Sequence, residues 1–327
     1  MEKVPSPKGL NTKLAEELLH FFEVRGIKTL EKLRKTVLEE VKEIESNEVR
    51  EAMQYFITDY WQDLARPTLL SVCCETIGGN PTVTSPFAIS LSILSGGIDI
   101  HDDIIDGSKR KHGRVTVYGK YGKDIALLVG DALIFKGFAL LQSACAKTEK
   151  TKAKRIIEIV KRLFYELGDA EALELELRKK WEMKLSKYLR IIQKKAADVE
   201  AHARIGAILG NATQVEEENL AKYGRLLWMI IIIRDDIADL LDKQELKHRM
   251  KKEHLPLPLV YALKKQEISS KLSTEELFRN FNEEINKGIK QTQRLISKLR
   301  DEAYMYIKDF RTREILGRIL DAFSIIN

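Results

Sequence analysis

The sequence contains few of the residues that interrupt helices or form covalent and metal cross-links. Its 327 residues include only 7 prolines, 18 glycines and 3 cysteines, whereas 44% are hydrophobic and 32% are charged. This composition favours helices and predicts a helix-rich protein with a sizeable core. Cys73 and Cys74 are adjacent and Cys145 is distant, a spacing that matches no metal-binding motif. The cysteines are therefore predicted to be small buried residues in a reducing compartment.

Signal sequences, membrane spans and basic clusters are also not evident. The N-terminal segment has no apolar core of the signal-peptide type, and we expect no apolar run of membrane-spanning length. The net charge is only +6, and no compact lysine and arginine cluster with interleaved aromatic residues occurs, which argues against nucleic-acid binding. No linker or low-complexity tract is visible. We therefore expect a single domain over residues 1–327, located in the cytoplasm and without stable membrane insertion.

One apolar segment leads directly into a cluster of carboxylates. Residues 92–106 read SILSGGIDIHDDIID, and on a helix Asp102 and Asp106 share one face because they are four residues apart. Like charges at this spacing repel each other. Because the preceding residues are apolar, the carboxylates are predicted to lie at the mouth of a buried cavity. There they need a counter-charge, and their oxygens suit a hard cation such as Mg²⁺.

The same pattern occurs a second time. Residues 228–239 read WMIIIIRDDIAD, which is again an apolar run followed by Asp-Asp-x-x-Asp. If the two motifs face each other across a cavity, they would hold several Mg²⁺ ions, and those ions would bind a diphosphate. Two such copies are stronger support for a metal site than one, because a single acidic cluster is commonly only solvated.

Hydrophobic periodicity predicts helices along most of the chain. Residues 10–23 and 29–44 are predicted as two amphipathic helices, and residues 86–105 and 215–241 as the helices that carry the motifs. Two polar segments are predicted as loops, 107–122 and 242–254. The first loop follows the first motif and contains basic side chains that could neutralise phosphate oxygens, namely Lys109, Arg110, Lys111 and Arg114.

The two motifs, in this order, resemble those of the trans-isoprenyl diphosphate synthases, or polyprenyl synthetases, including the geranylgeranyl type. The resemblance extends from about Leu64 to Leu263, and its further matches are Gly113, Thr116, 122–124, 130–133, 188–206 and 257–263. It implies an all-α bundle around a central cavity and a homodimer. It also implies Mg²⁺-dependent joining of an allylic diphosphate to isopentenyl diphosphate.

The resemblance and the chemistry of diphosphate ionisation together predict the site residues. The predicted catalytic residues are Asp102, Asp103, Asp106, Asp235, Asp236 and Lys195. The predicted metal ligands are Asp102, Asp106, Asp235 and Asp239, with Asp103 and Asp236 acting through water or neighbouring ligands. The predicted substrate-binding residues are Arg66, Lys111, His112, Lys195, Arg249 and Gly97.

Gly96 and Gly97 precede the first aspartates by about one helical turn. With no side chains there, the cavity floor would stay open to a growing chain, and the family pattern then implies a product of C20 or longer. Close packing between helices is an equally good explanation of the two glycines.

The sequence departs from the family pattern at several positions. Asp63 stands where the family has the lysine that holds isopentenyl diphosphate, Ser95 replaces a histidine or glutamine, and His112 replaces an arginine. The allylic half of the site is therefore retained, whereas the isopentenyl half is altered.

Three hypotheses follow from these departures. The first is an elongating prenyltransferase with a modified isopentenyl site. The second uses the same ionising site for cyclisation or for transfer to another acceptor. The third is a non-catalytic subunit of a synthase, against which the intact aspartate motifs argue.

Overall fold

The computed structural model describes residues 12–111, 113–178, 183–264 and 273–324, and these are almost entirely helical. The first helices are α1 (Thr12–Val41), α2 (Asn47–Tyr55), α3 (Ala65–Thr76), α4 (Ser85–Asp106), α5 (Val117–Ala146) and α6 (Lys150–Leu175). They are followed by α7 (Leu185–Lys195), α8 (Ala197–Leu209), α9 (Gln214–Leu241), α10 (Lys243–Lys252), α11 (Leu257–Ala262), α12 (Thr274–Ile307) and α13 (Arg313–Ser324). The all-α prediction is confirmed.

A single helix, α1, replaces the two helices predicted near the N-terminus. Gly26 lies in the middle of it, at a buried position on the same face as Phe22 and Leu30. A Cβ atom at Gly26 would lie 3.1 Å from the side chain of Leu64, so the glycine lets that residue pack closely against the helix. The apolar face therefore continues through the segment that the sequence pattern predicted as a break.

By its internal contacts the chain divides into two compact units. One consists chiefly of Leu19–Ile157 and contains the first aspartate motif, and the other consists chiefly of Glu158–Ala203 and Gln214–Asn327 and contains the second. The single domain expected from the sequence stays a prediction.

In the first unit, α4 packs along α5 and carries the first motif at its C-terminal end. The helix ends at Gly107, whose φ of 67° is the left-handed conformation that glycine adopts without strain. The three cysteines are buried thiols, as predicted.

The stretch Pro81–Asp106 is long and apolar enough to cross a membrane by length and composition, so the expectation that no apolar run reaches membrane-spanning length was wrong. Two thirds of its most apolar window is buried inside the protein.

In the second unit, α9 packs against α12 and α13, and the Tyr223 hydroxyl donates a hydrogen bond of 2.8 Å to the Leu316 carbonyl. The helix α10 occupies the segment predicted as a loop over residues 242–254. It forms because the Asp242 carboxylate caps its N-terminus by accepting hydrogen bonds from the Gln244 and Glu245 amides. The prediction of a loop was therefore wrong there.

Candidate functional site

The first motif brings two carboxylates together at the end of a buried helix. Asp102 and Asp106 lie one turn apart on α4, and one carboxylate oxygen of each lies within 4.8 Å of the other. Two oxygens at this separation can bind the same cation, and carboxylate oxygens are the ligands that Mg²⁺ prefers. The residues predicted as ligands in this motif therefore fit a divalent metal ion.

Asp103 differs from its neighbours because it points into the protein. It is 2% exposed, and its Oδ1 atom accepts no hydrogen bond from the described residues, with Lys111 Nζ at 3.6 Å. Burial raises the pKa of Asp103 to about 7, an effect that the positive charge of Lys111 partly offsets. Asp103 is thus poorly placed to bind a metal ion directly, and the indirect role stays a prediction.

Lys111 lies on a short hairpin that follows the motif. Strands β1 (Arg110–Lys111) and β2 (Arg114–Val115) pair antiparallel within the segment predicted as a basic loop. The Lys111 ammonium lies 3.0 Å from Asp102 Oδ2, and this carboxylate raises the pKa of Lys111 well above its ordinary value. The lysine is therefore a permanent cation beside the motif, whereas His112 lies outside the described residues.

Arg66, the cation retained from the isopentenyl half, is paired with the residue that replaces the family's lysine. Its Nη1 atom lies 3.0 Å from Asp63 Oδ2, and both side chains are nearly buried. Asp63 Oδ1 also accepts hydrogen bonds from the amides of Ala65 and Arg66, so it caps α3. Asp63 therefore both holds and neutralises Arg66.

Asp99 is a further acidic group close to these residues. The Trp61 indole donates a hydrogen bond of 3.1 Å to Asp99 Oδ2, and burial raises the pKa of this carboxyl while the charge of Arg66 lowers it. The sequence shows that Asp99 lies one helical turn before Asp103. It does not indicate the contact between Asp99 and Trp61, because these two residues lie 38 positions apart.

In the second motif, Asp236 is a structural anchor. It is 1% exposed, and its carboxylate accepts hydrogen bonds of 2.5 Å from the Tyr188 hydroxyl, 2.7 Å from the Leu257 amide and 2.8 Å from Arg249 Nη2. It thereby connects α9 to α7, α10 and α11. With both oxygens engaged in this way, Asp236 is not available as a metal ligand, and its indirect role stays a prediction.

The two predicted ligands of the second motif have different surroundings. The Asp235 side chain is half exposed and lies 2.8 Å from Arg234 Nη2. Asp239 is only 28% exposed, and its Oδ2 atom lies 2.8 Å from Arg249 Nη1. Burial raises the pKa of Asp239 to about 7, against the lowering effect of Arg249.

An unsatisfied donor lies beside this motif. Arg234 is 9% exposed, and among the described residues its Nη1 atom has no hydrogen-bond acceptor. Because a buried guanidinium nitrogen without a partner is costly, the position favours an anion. The sequence indicated Arg234 only as the residue that precedes the motif.

Lys195, predicted as a diphosphate ligand, lies at the end of α7. Its ammonium pairs with Glu171 at 3.0 Å and with Glu174. His254 Nδ1 lies 3.3 Å from Glu174, and burial together with Arg249 lowers the pKa of His254 to about 3, so this histidine is neutral. Sequence reasoning missed these two glutamates and the histidine, because partners in segments that are far apart in the chain leave no periodic signal.

The structure corrects the role predicted for Gly97. A Cβ atom at this position would lie 2.7 Å from the Gly130 carbonyl oxygen and 2.7 Å from the Ile134 side chain, both on α5. The glycine therefore faces the neighbouring helix and permits close packing, instead of leaving a cavity floor open. Of the two explanations considered for this residue, helix packing is the one that the structure supports.

We expect Gly97→Ala to lower the free energy of unfolding by about 1–3 kcal/mol, because an inserted methyl group overpacks the contact between α4 and α5. Gly168→Ala is the control, since Gly168 lies within α6 and nothing lies within 4 Å of its Cβ position. This second change is expected to stabilise the protein by up to about 1 kcal/mol. Urea unfolding measures both, and a fully stable Gly97→Ala variant would contradict the packing role.

A sequence model of one family matches most of the chain. The model described as Polyprenyl synthetase covers residues 46–296, including both aspartate motifs. The chain belongs to the polyprenyl synthetase family. This membership agrees with the resemblance given by the motifs and with the helical fold.

One curated relative is similar over a smaller part of the chain than the family model is. The geranylgeranyl diphosphate synthase of Methanosarcina mazei is 28% identical over 199 residues, which are 61% of this chain and 60% of that protein. The chain thus spans about three fifths of the length of this curated relative.

Solved structures support the fold of this polyprenyl synthetase along nearly its whole length. The geranylgeranyl pyrophosphate synthetase of Pyrococcus horikoshii has a TM-score of 0.79 at 22% identity, over 94% of this chain and 99% of that one. A polyprenyl synthase of Caulobacter crescentus, complexed with calcium and isoprenyl diphosphate, has a TM-score of 0.78 at 21% identity. The match covers 98% of this chain and 99% of the Caulobacter chain.

Proposed function

We propose that this polyprenyl synthetase is a Mg²⁺-dependent prenyltransferase that ionises an allylic diphosphate and condenses it with isopentenyl diphosphate. The observation that carries the proposal is the pair of carboxylates of Asp102 and Asp106 at the end of a buried apolar helix. The relatives support it, because the Methanosarcina protein is a geranylgeranyl diphosphate synthase and the Caulobacter structure contains calcium and isoprenyl diphosphate. The product is accordingly proposed to be C20 or longer.

In this proposal the chain's own residues hold and neutralise the leaving group. Asp102 and Asp106 in one motif, and Asp235 and Asp239 in the other, would hold the metal ions, which act as Lewis acids on the diphosphate. Lys111, a permanent cation on the hairpin, would bind phosphate oxygens and stabilise the charge that develops as the carbon–oxygen bond breaks. The arrangement of the two motifs on one diphosphate stays a prediction.

The direct test is an assay of the purified protein with Mg²⁺ and C10, C15 or C20 allylic diphosphate, with and without isopentenyl diphosphate. Extension of the prenyl chain supports the proposal. Diphosphate release that does not depend on isopentenyl diphosphate supports the alternative below. If neither occurs with any of the three substrates, the result supports the third hypothesis, a non-catalytic subunit.

A second candidate function is transfer of the prenyl group to another acceptor, or cyclisation. The observation that favours it is the ion pair of Asp63 with Arg66, because it neutralises the retained cation of the isopentenyl half. We expect Asp63→Lys to increase incorporation of isopentenyl diphosphate at least tenfold if the native acceptor is a different molecule. The control Asp63→Asn keeps an oxygen that can cap α3 and adds no positive charge. Equal incorporation by the Lys variant and the unmodified protein would contradict this alternative.

The homodimer implied by the family is also a proposal, and an apolar face of α5 supports it. Leu128, Phe135 and Phe138 are 54%, 74% and 39% exposed and lie on one side of the helix. An exposed apolar stripe of this kind is typical of an interface. We therefore propose that a second copy of the chain covers it.

We expect light scattering to give twice the chain mass of 37.6 kDa for the unmodified protein and the monomer mass for Phe135→Glu. Tyr165→Glu, at an aromatic residue of α6 that is 70% exposed, is the control and is expected to stay dimeric. A dimeric Phe135→Glu variant would place the interface elsewhere.

A cytoplasmic location is likewise proposed, and fractionation of the source cells would test it.

A further inference from the structure

Arg249 is a cation beside the second aspartate motif, and its guanidinium has several hydrogen-bond acceptors. Its Nη2 atom lies 2.8 Å from Asp236 Oδ1, and its Nη1 atom lies 2.8 Å from Asp239 Oδ2. Its Nε atom lies 3.0 Å from Glu253 Oε2 and 3.3 Å from the His254 carbonyl oxygen. The side chain is only 11% exposed. One guanidinium therefore connects three carboxylates in a largely buried position.

The first motif has a looser counter-ion. Lys111 lies 3.0 Å from Asp102 and 3.6 Å from Asp103, and its side chain is 41% exposed. An ammonium on a flexible stem can move away from one carboxylate while it stays near another. All three nitrogen atoms of the planar Arg249 guanidinium contact a carboxylate. Removing it from one carboxylate therefore disturbs several charge-assisted hydrogen bonds. The two motifs thus differ in how easily their carboxylates are released.

We infer that Arg249 is a built-in counter-ion of the second motif, and that it must leave Asp239 before this carboxylate can bind a divalent cation. In the protein without substrate, a metal ion therefore binds the second motif more weakly than the first. Asp236 stays attached to Tyr188 and Leu257 during the exchange, so the helices remain connected. The Nη1 group that leaves Asp239 becomes a donor for a phosphate oxygen. The inference rests on the proposed function only in taking Asp239 as a metal ligand.

The helix α10 makes this arrangement possible. Asp242 caps the first turn of α10, and Leu246 in the middle of the helix is fully buried. The helix is therefore fixed at both its start and its middle. Arg249 follows Leu246 by three residues and therefore lies on the same face of the helix. A segment without helical structure would not hold the guanidinium at the two aspartates so firmly.

Titration of the substrate-free protein with Mn²⁺, followed by electron paramagnetic resonance, tests the inference directly. We expect Arg249→Gln to tighten the weakest Mn²⁺-binding phase at least tenfold, which corresponds to about 1.4 kcal/mol. In the double variant Arg249→Gln/Asp239→Asn the tightened phase is expected to disappear. If Arg249→Gln does not fold, Arg249→Lys replaces it, because its single ammonium cannot contact all three carboxylates, and at least a threefold tightening is expected.

Arg225→Gln is the matched control. Arg225 is 16% exposed and pairs with two carboxylates, Glu166 and Glu200, and within the described part of the chain it contacts neither aspartate motif. The Mn²⁺ affinity of the Arg225→Gln variant is therefore expected to match that of the unmodified protein. Unchanged Mn²⁺ affinity in the Arg249 variants would overturn the inference, and so would a tightening that persists without Asp239. Because the readout contains no prenyl substrate, failure of the proposed prenyl transfer would leave these affinities unaffected and is measured separately.

Discussion

Replacing both Asp102 and Asp106 with asparagine is expected to lower Mg²⁺-dependent diphosphate release by about 10³-fold or more. The two carboxylates can bind one cation, and the amide that replaces each has no negative charge to hold it. Loss of a Lewis acid at a diphosphate removes several kcal/mol of transition-state stabilisation, and about 4 kcal/mol corresponds to this factor. Release of inorganic diphosphate from an allylic substrate under saturating Mg²⁺ measures the effect.

Asp59→Asn is the control for this experiment. Asp59 is an exposed aspartate of the same compact unit, and the contact of Arg114 with it is to its backbone carbonyl, which the substitution leaves in place. Its activity is expected to stay within twofold of the unmodified protein. If the Asp102/Asp106 double variant kept more than a tenth of the activity, the first motif would not be the metal site that ionises the substrate.

Asp236→Ala is expected to lower the free energy of unfolding by about 3–5 kcal/mol, independently of metal or substrate. Removing Asp236 takes one of three carboxylates away from the buried guanidinium of Arg249, so its charge is less fully compensated in a low-dielectric environment. The substitution also leaves the Tyr188 hydroxyl and the Leu257 amide without their acceptor. This loss is large compared with the total stability of a typical domain.

Urea unfolding in the presence of a chelator measures this effect without contributions from bound metal. Asp235→Ala is the matched control, because Asp235 is the preceding residue of the same motif and its side chain is half exposed with one arginine partner. Its loss is expected to cost about 1 kcal/mol or less. Equal stability losses in the two variants would contradict the structural role assigned to Asp236.

Adjacent aspartates of the same motif can therefore have different roles within one helical turn. Asp235 and Asp236 are identical in type and adjacent in sequence, yet one faces solvent and the other connects four helices. A helix rotates by about 100° per residue, so neighbouring positions meet different surroundings. The motif alone identifies the acidic cluster, and burial distinguishes the member that faces solvent from the member that supports the fold.

Several features of the site depended on contacts between distant segments. The pairing of Asp63 with Arg66 could be suspected from their three-residue spacing, but the attachment of Arg249 to Asp236 and Asp239 required the helix α10, which the polar sequence had suggested was a loop. Gly97 shows the same limit, since its sequence position fitted both a cavity floor and a helix contact. Only the position of Gly130 and Ile134 on α5 distinguished the two.

Composition and periodicity alone establish that the chain is helical, that its cysteines are buried thiols and that two aspartate clusters follow apolar helices. These properties are local, because composition, periodicity and i, i+4 spacing act within a few turns. Tertiary structure alone decided which charged groups neutralise one another, as with Arg249, Lys111 and Lys195. Such pairings depend on distances between side chains that are far apart in the chain, and these distances are set by helix packing, which no short-range pattern encodes.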